Sequence, residues 1–470
     1  MSLYLADGIN ADAVYGYLKE CAANGINVRT LQVIKGNEPL IQIAMNPYDL
    51  DAPMHLYSLS KTFTSMAVGM CVDDGKLSVR DKLCDIFPDK MPQNMTDELK
   101  KMTIHDLLSM QSGHETCFLH NMRWAEDSVK AFFEQPFKYE PGTTFVYSTA
   151  ATCICAAAVE RVTGKKLVDF LDERLFSKLG IKKPVWRECR DGQTLGGTGL
   201  EVSNNDVAKL GIMLKNKGIY NGERIVSEEY IKTASSFHAD NSCNGTPDWV
   251  VGYGYQIWLN ERDGFRGDGA FGQLCVVLPK DDVVVVLLGE AGNMQTELSL
   301  VYKLVDTMFG ENGDKLALAE YVDKAYITKR NENGFNRELA FEVAENPCDL
   351  NKVRLFGENL LHVELETSYG KKEFVCGNGE YLLNHVMLKN LSPTIVTLDP
   401  NVDTVERVSV FASYEILDDG KIQITLRHHN TCHVQRWIID PDNNCFDIKV
   451  FVGYMVCTHF ELGKIELDIQ

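Results

Sequence analysis

Met54-His-Leu-Tyr-Ser-Leu-Ser-Lys-Thr-Phe-Thr-Ser65 leads into a clear helical pattern. Phe63, Met66, Ala67, Met70 and Cys71 recur at helical spacing through 61–75, and Gly75 stands where a C-terminal cap belongs. At the start of this helix Ser58 and Lys61 are three residues apart, so their side chains share one face about one turn apart. A serine hydroxyl is a weak nucleophile until a base takes its proton. A lysine can be that base only if burial, or the positive end of a helix dipole, brings its pKa toward neutrality. In a first helical turn a lysine is electrostatically misplaced for stability, and that misplacement is what a lysine base needs. The competing reading is an N-cap serine beside a solvated lysine. Ser-x-x-Lys recurs at Ser368 to Lys371, where a Gly-containing turn disfavours a helix.

Outward from that helix, Ser203-Asn-Asn-Asp206 reads as a capping box opening a helix to about Lys215. Met102 to Met110 and Ala150 to Val162 are further helical candidates. Leu274 to Leu288 reads as two β-rich segments joined by Pro-Lys-Asp-Asp, hence a buried hairpin. The composition changes near residue 312. Past about residue 335 the chain is strand-like, with turns at Ser368-Tyr-Gly-Lys371 and Leu417-Asp-Asp-Gly420 and an alternating strand over Lys421 to Arg427. The expected organisation is a mixed domain over 1–315 and a mostly antiparallel β domain over 330–470.

The 470 residues carry 47 Lys and Arg against 66 Asp and Glu, a formal net charge of −19. That balance argues against broad nucleic-acid binding and against a polybasic membrane anchor. No apolar run approaches the roughly 18 residues of a membrane-spanning helix. The N-terminal stretch lacks the basic and apolar regions of a secretory signal. Fourteen cysteines at irregular intervals, from Cys21 to Cys457, read as buried free thiols of a reducing cytoplasm rather than a disulfide framework.

Several ordered blocks are far more specific than Ser-x-x-Lys alone. They are the 54–65 stretch with Asp74-Gly-Lys-Leu-Ser-Val-Arg-Asp81, Met102-Thr-Ile-His-Asp-Leu-Leu-Ser-Met-Gln-Ser-Gly113, Glu140-Pro-Gly-Thr-Thr-Phe-Val-Tyr-Ser-Thr149, Glu160-Arg-Val-Thr-Gly164, and Gly196-Gly-Thr-Gly-Leu200 through Asp206-Val-Ala-Lys-Leu-Gly211. Over about residues 25–310 the chain resembles the serine β-lactamase and penicillin-binding-protein superfamily, especially its class C and esterase-like branch. The resemblance implies an α+β fold: a five-stranded antiparallel sheet flanked by helices, with a helical subdomain and the active site between them.

It further implies Ser58 as nucleophile, Lys61 as its proton partner and Tyr147 as the tyrosine of the second motif. Near a lysine ammonium that phenol is expected to be partly phenolate and to pass a proton to the leaving group. Thr149 stands where most relatives carry Asn, with a shorter reach and no amide fork. The third motif falls at Gly267-Asp268-Gly269, with Gly267 in the cationic or imidazole position. Arg266 precedes it, on the opposite face of the strand by alternation. Thr149, Arg266, Asp268 and Gly269 are thus the candidate substrate-binding residues, and the backbone N–H groups of Ser58 and Ala270 would form the oxyanion hole. Loss of the usual third-motif donor shifts the expectation from carboxylate-bearing lactams and D-alanyl peptides toward small esters or amides.

The expected function is therefore a serine hydrolase working through an acyl-enzyme, with no cofactor and no metal. The alternatives are a β-lactamase or D-peptide hydrolase, and a non-catalytic binding protein that keeps the fold. Gly267-x-Gly269-x-x-Gly272 matches a dinucleotide fingerprint in letters, but a strand follows where that motif needs a helix. Arg427-His-His-Asn-Thr-Cys-His433 gathers possible zinc ligands without the paired knuckles of structural sites, and reads as a satisfied or solvent-facing cluster. His114 to His120 has the wrong spacing for a zinc-protease helix, and Cys153 and Cys155 face different directions on one helix.

Overall fold

Residues 283–291 alternate between two cores rather than between core and water. Val283, Val285 and Leu287 belong to one apolar cluster, and Val284, Val286 and Leu288 to another. Helices cover both faces of their sheet, which is why the stretch is apolar without interruption. The computed structural model of the chain describes residues 2–389, except 312 and 347, and 405–467, except 454 and 465.

The first sheet comprises β1 (Leu3–Leu5), β2 (Ile26–Lys35), β3 (Glu38–Ala44), β4 (Trp258–Leu259), β5 (Phe265–Gly269), β6 (Gln273–Leu278) and β7 (Val283–Ala291). Their spatial order is β1-β3-β2-β7-β6-β5-β4, with every pairing antiparallel. The five longer strands are those implied by the resemblance, and β1 and β4 extend the sheet at its edges. β6 and β7 form the hairpin read from the sequence.

The main helices are α1 (Ala11–Ala23), α2 (Ser60–Asp73), α3 (Thr149–Thr163), α4 (Asn204–Lys215), α5 (Met294–Thr307) and α6 (Lys315–Lys324). α1, α5 and α6 pack on one face of the sheet, and α2, α3 and α4 join the core on the other. Every residue of α2 from Ser60 to Cys71 is buried, as befits a helix enclosed on all sides. Its end matches the sequence: Gly75 has φ +67, a conformation glycine adopts without strain. At α4 the capping box is present, with the Asp206 N–H donating to Ser203 Oγ and the Ser203 N–H donating to the Asp206 carboxylate. The helix expected over Met102 to Met110 is shorter, Ile104–Leu108. A second capping box, Thr103 with Asp106, delays its start, and Met110 turns the chain away with φ +62.

From Arg337 the described residues build an eleven-stranded sheet with its own apolar core. It includes β8 (Ile422–His428) and β9 (Val434–Asp440), an antiparallel pair. The cysteines described from Cys21 to Cys445 are free, mostly buried, with Cys117 and Cys243 exposed; the Cys457 side chain lies outside the described residues. Among those residues no helix is long and apolar enough to cross a membrane.

Candidate active site

Ser58 sits in a single 3-10 turn, Tyr57–Leu59, that runs directly into α2. No side chain caps α2 and no acid lies in its first turn, so the positive end of the helix is left to its surroundings. Ser58 keeps partial access to solvent while Lys61 is buried, 1% exposed. Lys61 Nζ lies 2.9 Å from Ser58 Oγ, 3.0 Å from Thr149 Oγ1 and 2.7 Å from the Gly197 carbonyl oxygen. Burial lowers the lysine pKa to about 8, against weaker opposing effects from Cys117, Cys153 and Asp268.

In the sequence Gly197 stands out only as part of the Gly196–Leu200 block. Its role comes from its main chain: a Cβ there would meet Thr149 at 2.8 Å, and one on Gly196 would meet the Ala156 Cβ at 2.6 Å. Only two side-chain-free residues let this segment lie against α3 closely enough to put its carbonyl on Lys61. The signal was the Gly-Gly pair, but no letter in a sequence marks which carbonyl will be used.

Tyr147 lies just ahead of α3, with Lys61 Nζ 4.9 Å from its ring centroid. The ring stacks on Trp258 at 5.4 Å and meets Tyr253 edge-on at 6.2 Å. Burial and the charge of Asp268 raise its pKa, outweighing a hydrogen bond with Ser58 that acts the other way. Burial sets the sign and Asp268 adds to it, so the surroundings favour the protonated phenol over the partial phenolate expected from the sequence.

The third-motif strand is β5. A Cβ on Gly267 would meet Leu59 Cδ1 at 2.4 Å and Thr62 Oγ1 at 2.5 Å; the room a cationic side chain would need is filled from α2 and its lead-in turn. Arg266, a candidate substrate-binding residue by sequence, is fully buried. Its guanidinium donates to Asp268 Oδ2 (3.0 Å), Asn260 Oδ1 (2.6 Å) and the carbonyls of Asp248 and Leu259, and lies over Trp249 at 4.2 Å. Its Nε and Nη1 hold Asp268 and the adjoining main chain beneath the aromatic wall, while Nη2 is buried without a hydrogen-bond partner among the described residues. Asp268 itself is pushed up by burial, which Arg266, Lys61 and Trp258 only partly offset.

Gly269 closes the site. Its missing Cβ would lie 2.0 Å from the Leu56 carbonyl oxygen, so the end of β5 rests against the turn that carries Ser58. This sets Ala270 beside that turn, and Gln273 Nε2 pins the bend by donating to the carbonyls of Ala270, Phe271 and Gly289. We expect Gly269→Ala to destabilise the fold by about 1–3 kcal/mol, because the clash is with backbone and cannot be relieved by a rotamer; thermal unfolding of the variant checks it.

The remaining wall is aromatic: Phe145, Tyr147, Trp249, Tyr253 and Trp258 cluster with Met110. Among the described residues no group of three or more His, Cys, Asp or Glu side chains is placed to hold a metal ion. The Gly267 to Gly272 stretch is a strand end and hairpin bend followed by β6, with no helix N-terminus to receive a phosphate.

Residues 18–296 match the sequence model of the family described as Beta-lactamase. Among curated proteins, the lovastatin esterase of Penicillium rubens is 29% identical over 306 residues, covering 50% of this chain and 76% of that protein. The 6-aminohexanoate-dimer hydrolase of Paenarthrobacter ureafaciens is 24% identical over 277 residues, covering 54% and 71%. Among solved structures, EstCE1, a hydrolase with promiscuous acyltransferase activity, superposes with a TM-score of 0.53 at 16% identity, over 64% of this chain and 98% of its own. That last likeness is one of fold.

Proposed function

Because this chain belongs to the beta-lactamase family, we propose that it is a serine hydrolase that cleaves small esters or amides through an acyl-enzyme on Ser58. Residues 1–315 serve as the hydrolase domain and 330–470 as a separate module. The observation that carries the reading is the environment of Lys61. The Gly197 carbonyl can only accept, and Thr149 Oγ1 accepts as well. As an ammonium Lys61 donates to all three oxygens, and on losing one proton it keeps two N–H bonds for Thr149 and Gly197 and has a lone pair to accept from the Ser58 hydroxyl, 2.9 Å away.

Lys61 takes the Ser58 proton as Oγ bonds to the substrate carbonyl carbon. The oxyanion is received by the N–H groups of Ser58 and Ala270. Tyr147, held protonated, gives its proton to the leaving oxygen or nitrogen as that bond breaks, and is reprotonated by the Lys61 ammonium. Water then adds to the acyl carbon, surrendering a proton to the same pair, which returns it to Ser58 Oγ as the acyl C–O bond breaks. Each cycle returns both groups to their starting state, so no cofactor enters.

Esters and small amides are favoured over carboxylate-bearing lactams and D-alanyl peptides because Arg266 is fully buried and tied to Asp268 and Asn260, the Gly267 space is filled, and the wall is aromatic. The names of the two curated relatives, a lovastatin esterase and a 6-aminohexanoate-dimer hydrolase, point the same way. Free cysteines support a reducing, cytoplasmic setting. The test is a fluorophosphonate probe followed by peptide mapping, with a panel of nitrophenyl esters, nitrocefin and D-alanyl peptides. Labelling on Ser58 with esters turned over fastest is the expected result. Preferred hydrolysis of nitrocefin or D-alanyl peptide would replace the substrate class, and an unlabelled Ser58 would leave a binding protein.

A further inference from the structure

Two bulky residues next to the proposed oxyanion donors have backbone conformations that side chains rarely tolerate. Tyr57, directly before Ser58, has φ +49, and Phe271, directly after Ala270, has φ +67. Non-glycine residues persist there only where their surroundings over-determine them. Their rings meet edge to face, 5.4 Å between centroids at 82°, so the two strained positions brace one another.

What holds the pair comes from the other sheet. The turn joining β8 to β9 reaches under both rings. Tyr57 Oη lies 3.3 Å from Cys432 Sγ and 3.4 Å from His433 Nδ1. The His433 ring lies 5.5 Å from that of Phe271 and 6.4 Å from that of Tyr57, and both Cys432 and His433 are fully buried. The Asn430 carbonyl accepts from the His55 N–H at 2.7 Å, and the His55 ring stacks on Tyr57 at 4.2 Å. From behind, Arg29 of β2 donates to the carbonyls of His428 (2.9 Å) and Thr431 (2.5 Å).

We infer that the C-terminal sheet completes the oxyanion hole, with Cys432 and His433 as positioning residues that hold Tyr57 and Phe271, and through them the N–H groups of Ser58 and Ala270. The inference rests on the hydrolase reading above. Neither residue reaches the substrate; the turn acts by denying the two strained positions a relaxed alternative. An oxyanion hole that is held loosely loses transition-state binding and leaves ground-state binding in place.

The experiment compares the full chain with His433→Ala, Tyr57→Phe and Val363→Ala. Tyr57→Phe keeps the ring and removes only the hydroxyl that meets the turn. Val363 is a buried core position in the strand Leu361–Thr367 of the same sheet, away from the turn, and its variant controls for general weakening of the module. For ester hydrolysis His433→Ala should lower kcat about 100-fold and Tyr57→Phe about 10-fold, both with KM within about twofold. Affinity for a boronic acid that mimics the tetrahedral intermediate should fall in parallel, while Val363→Ala lowers the melting temperature and leaves kcat unchanged. If wild type is active and Tyr57→Phe and His433→Ala match it, or if Val363→Ala loses kcat as they do, the positioning role is overturned. Should His433→Ala not fold, Tyr57→Phe decides. An inert wild type is a different failure, that of the hydrolase reading itself.

Discussion

Lys61→Met should lower kcat/KM for ester hydrolysis by about 10³-fold, and Lys61→Arg should do no better, because a guanidinium stays charged and has no lone pair to offer. Methionine fills nearly the same volume, so the loss reports on the proton rather than on packing. In wild type, activity should rise with pH through about 8, where the buried ammonium of Lys61 is released; that rising limb should be missing in Lys61→Met. Stability should follow a linked course. The folded pKa of about 8 lies below the free value of 10.5, so between these the unfolded chain binds the extra proton and stability increases with pH. Below pH 8 the buried cation costs about 3 kcal/mol, and this cost fades by pH 10.5. Urea unfolding at pH 7 and at pH 10.5 should therefore show wild type gaining about 3 kcal/mol relative to Lys61→Met. An unchanged gap between the two proteins would mean that the amine is hydrated and is not the base.

Glu290→Gln should cost about 3–5 kcal/mol, the penalty for leaving buried guanidiniums without their counter-charge. Glu290 is fully buried on β7, and its Oε1 accepts from Arg29 Nε at 2.8 Å and Arg427 Nη1 at 3.0 Å. Its other oxygen accepts from Asn27 Nδ2 at 2.9 Å. Glutamine offers one oxygen and presents N–H groups where donors already point. Arg29 belongs to β2 and Arg427 to β8, so this one carboxylate fastens the first sheet to the second. Burial opposes its ionisation, yet the two guanidiniums outweigh that and hold its pKa below the ordinary carboxylate value. The stabilisation is thus complete above that ordinary value and lost as pH falls through the folded one. Wild type and Glu290→Gln should differ most near pH 7 and converge in acid, as read by urea unfolding; a difference independent of pH would remove the charge argument.

The closeness of Ser58 and Lys61 was legible because a spacing of three at a helix start is a local fact, settled by helix geometry before any tertiary contact. The Ser203–Asp206 box and the hairpin of β6 and β7 were legible for the same reason. Tyr147 is legible through the order of blocks rather than by chemistry, and the preference of its surroundings for the protonated phenol is not, because its burial and the approach of Asp268 are tertiary facts. Strand alternation placed Arg266 opposite Gly267, but Asn260, Trp249 and the Asp248 carbonyl reach it through folding that no short pattern encodes. The 427–433 cluster reads in the sequence as satisfied or solvent-facing. Its contacts with Tyr57 and Phe271 span most of the chain, and nothing in its composition names a distant partner.

The turn that braces Tyr57 and Phe271 also has a place in time. Ribosomes deliver Ser58, Lys61, Tyr147 and Ala270 long before Cys432 and His433, and earlier segments begin folding first. A nascent chain would carry every reacting group and yet lack this brace until the 429–433 turn has been made and has docked. Interrupted translation would then release fragments that turn over far more slowly than the finished chain.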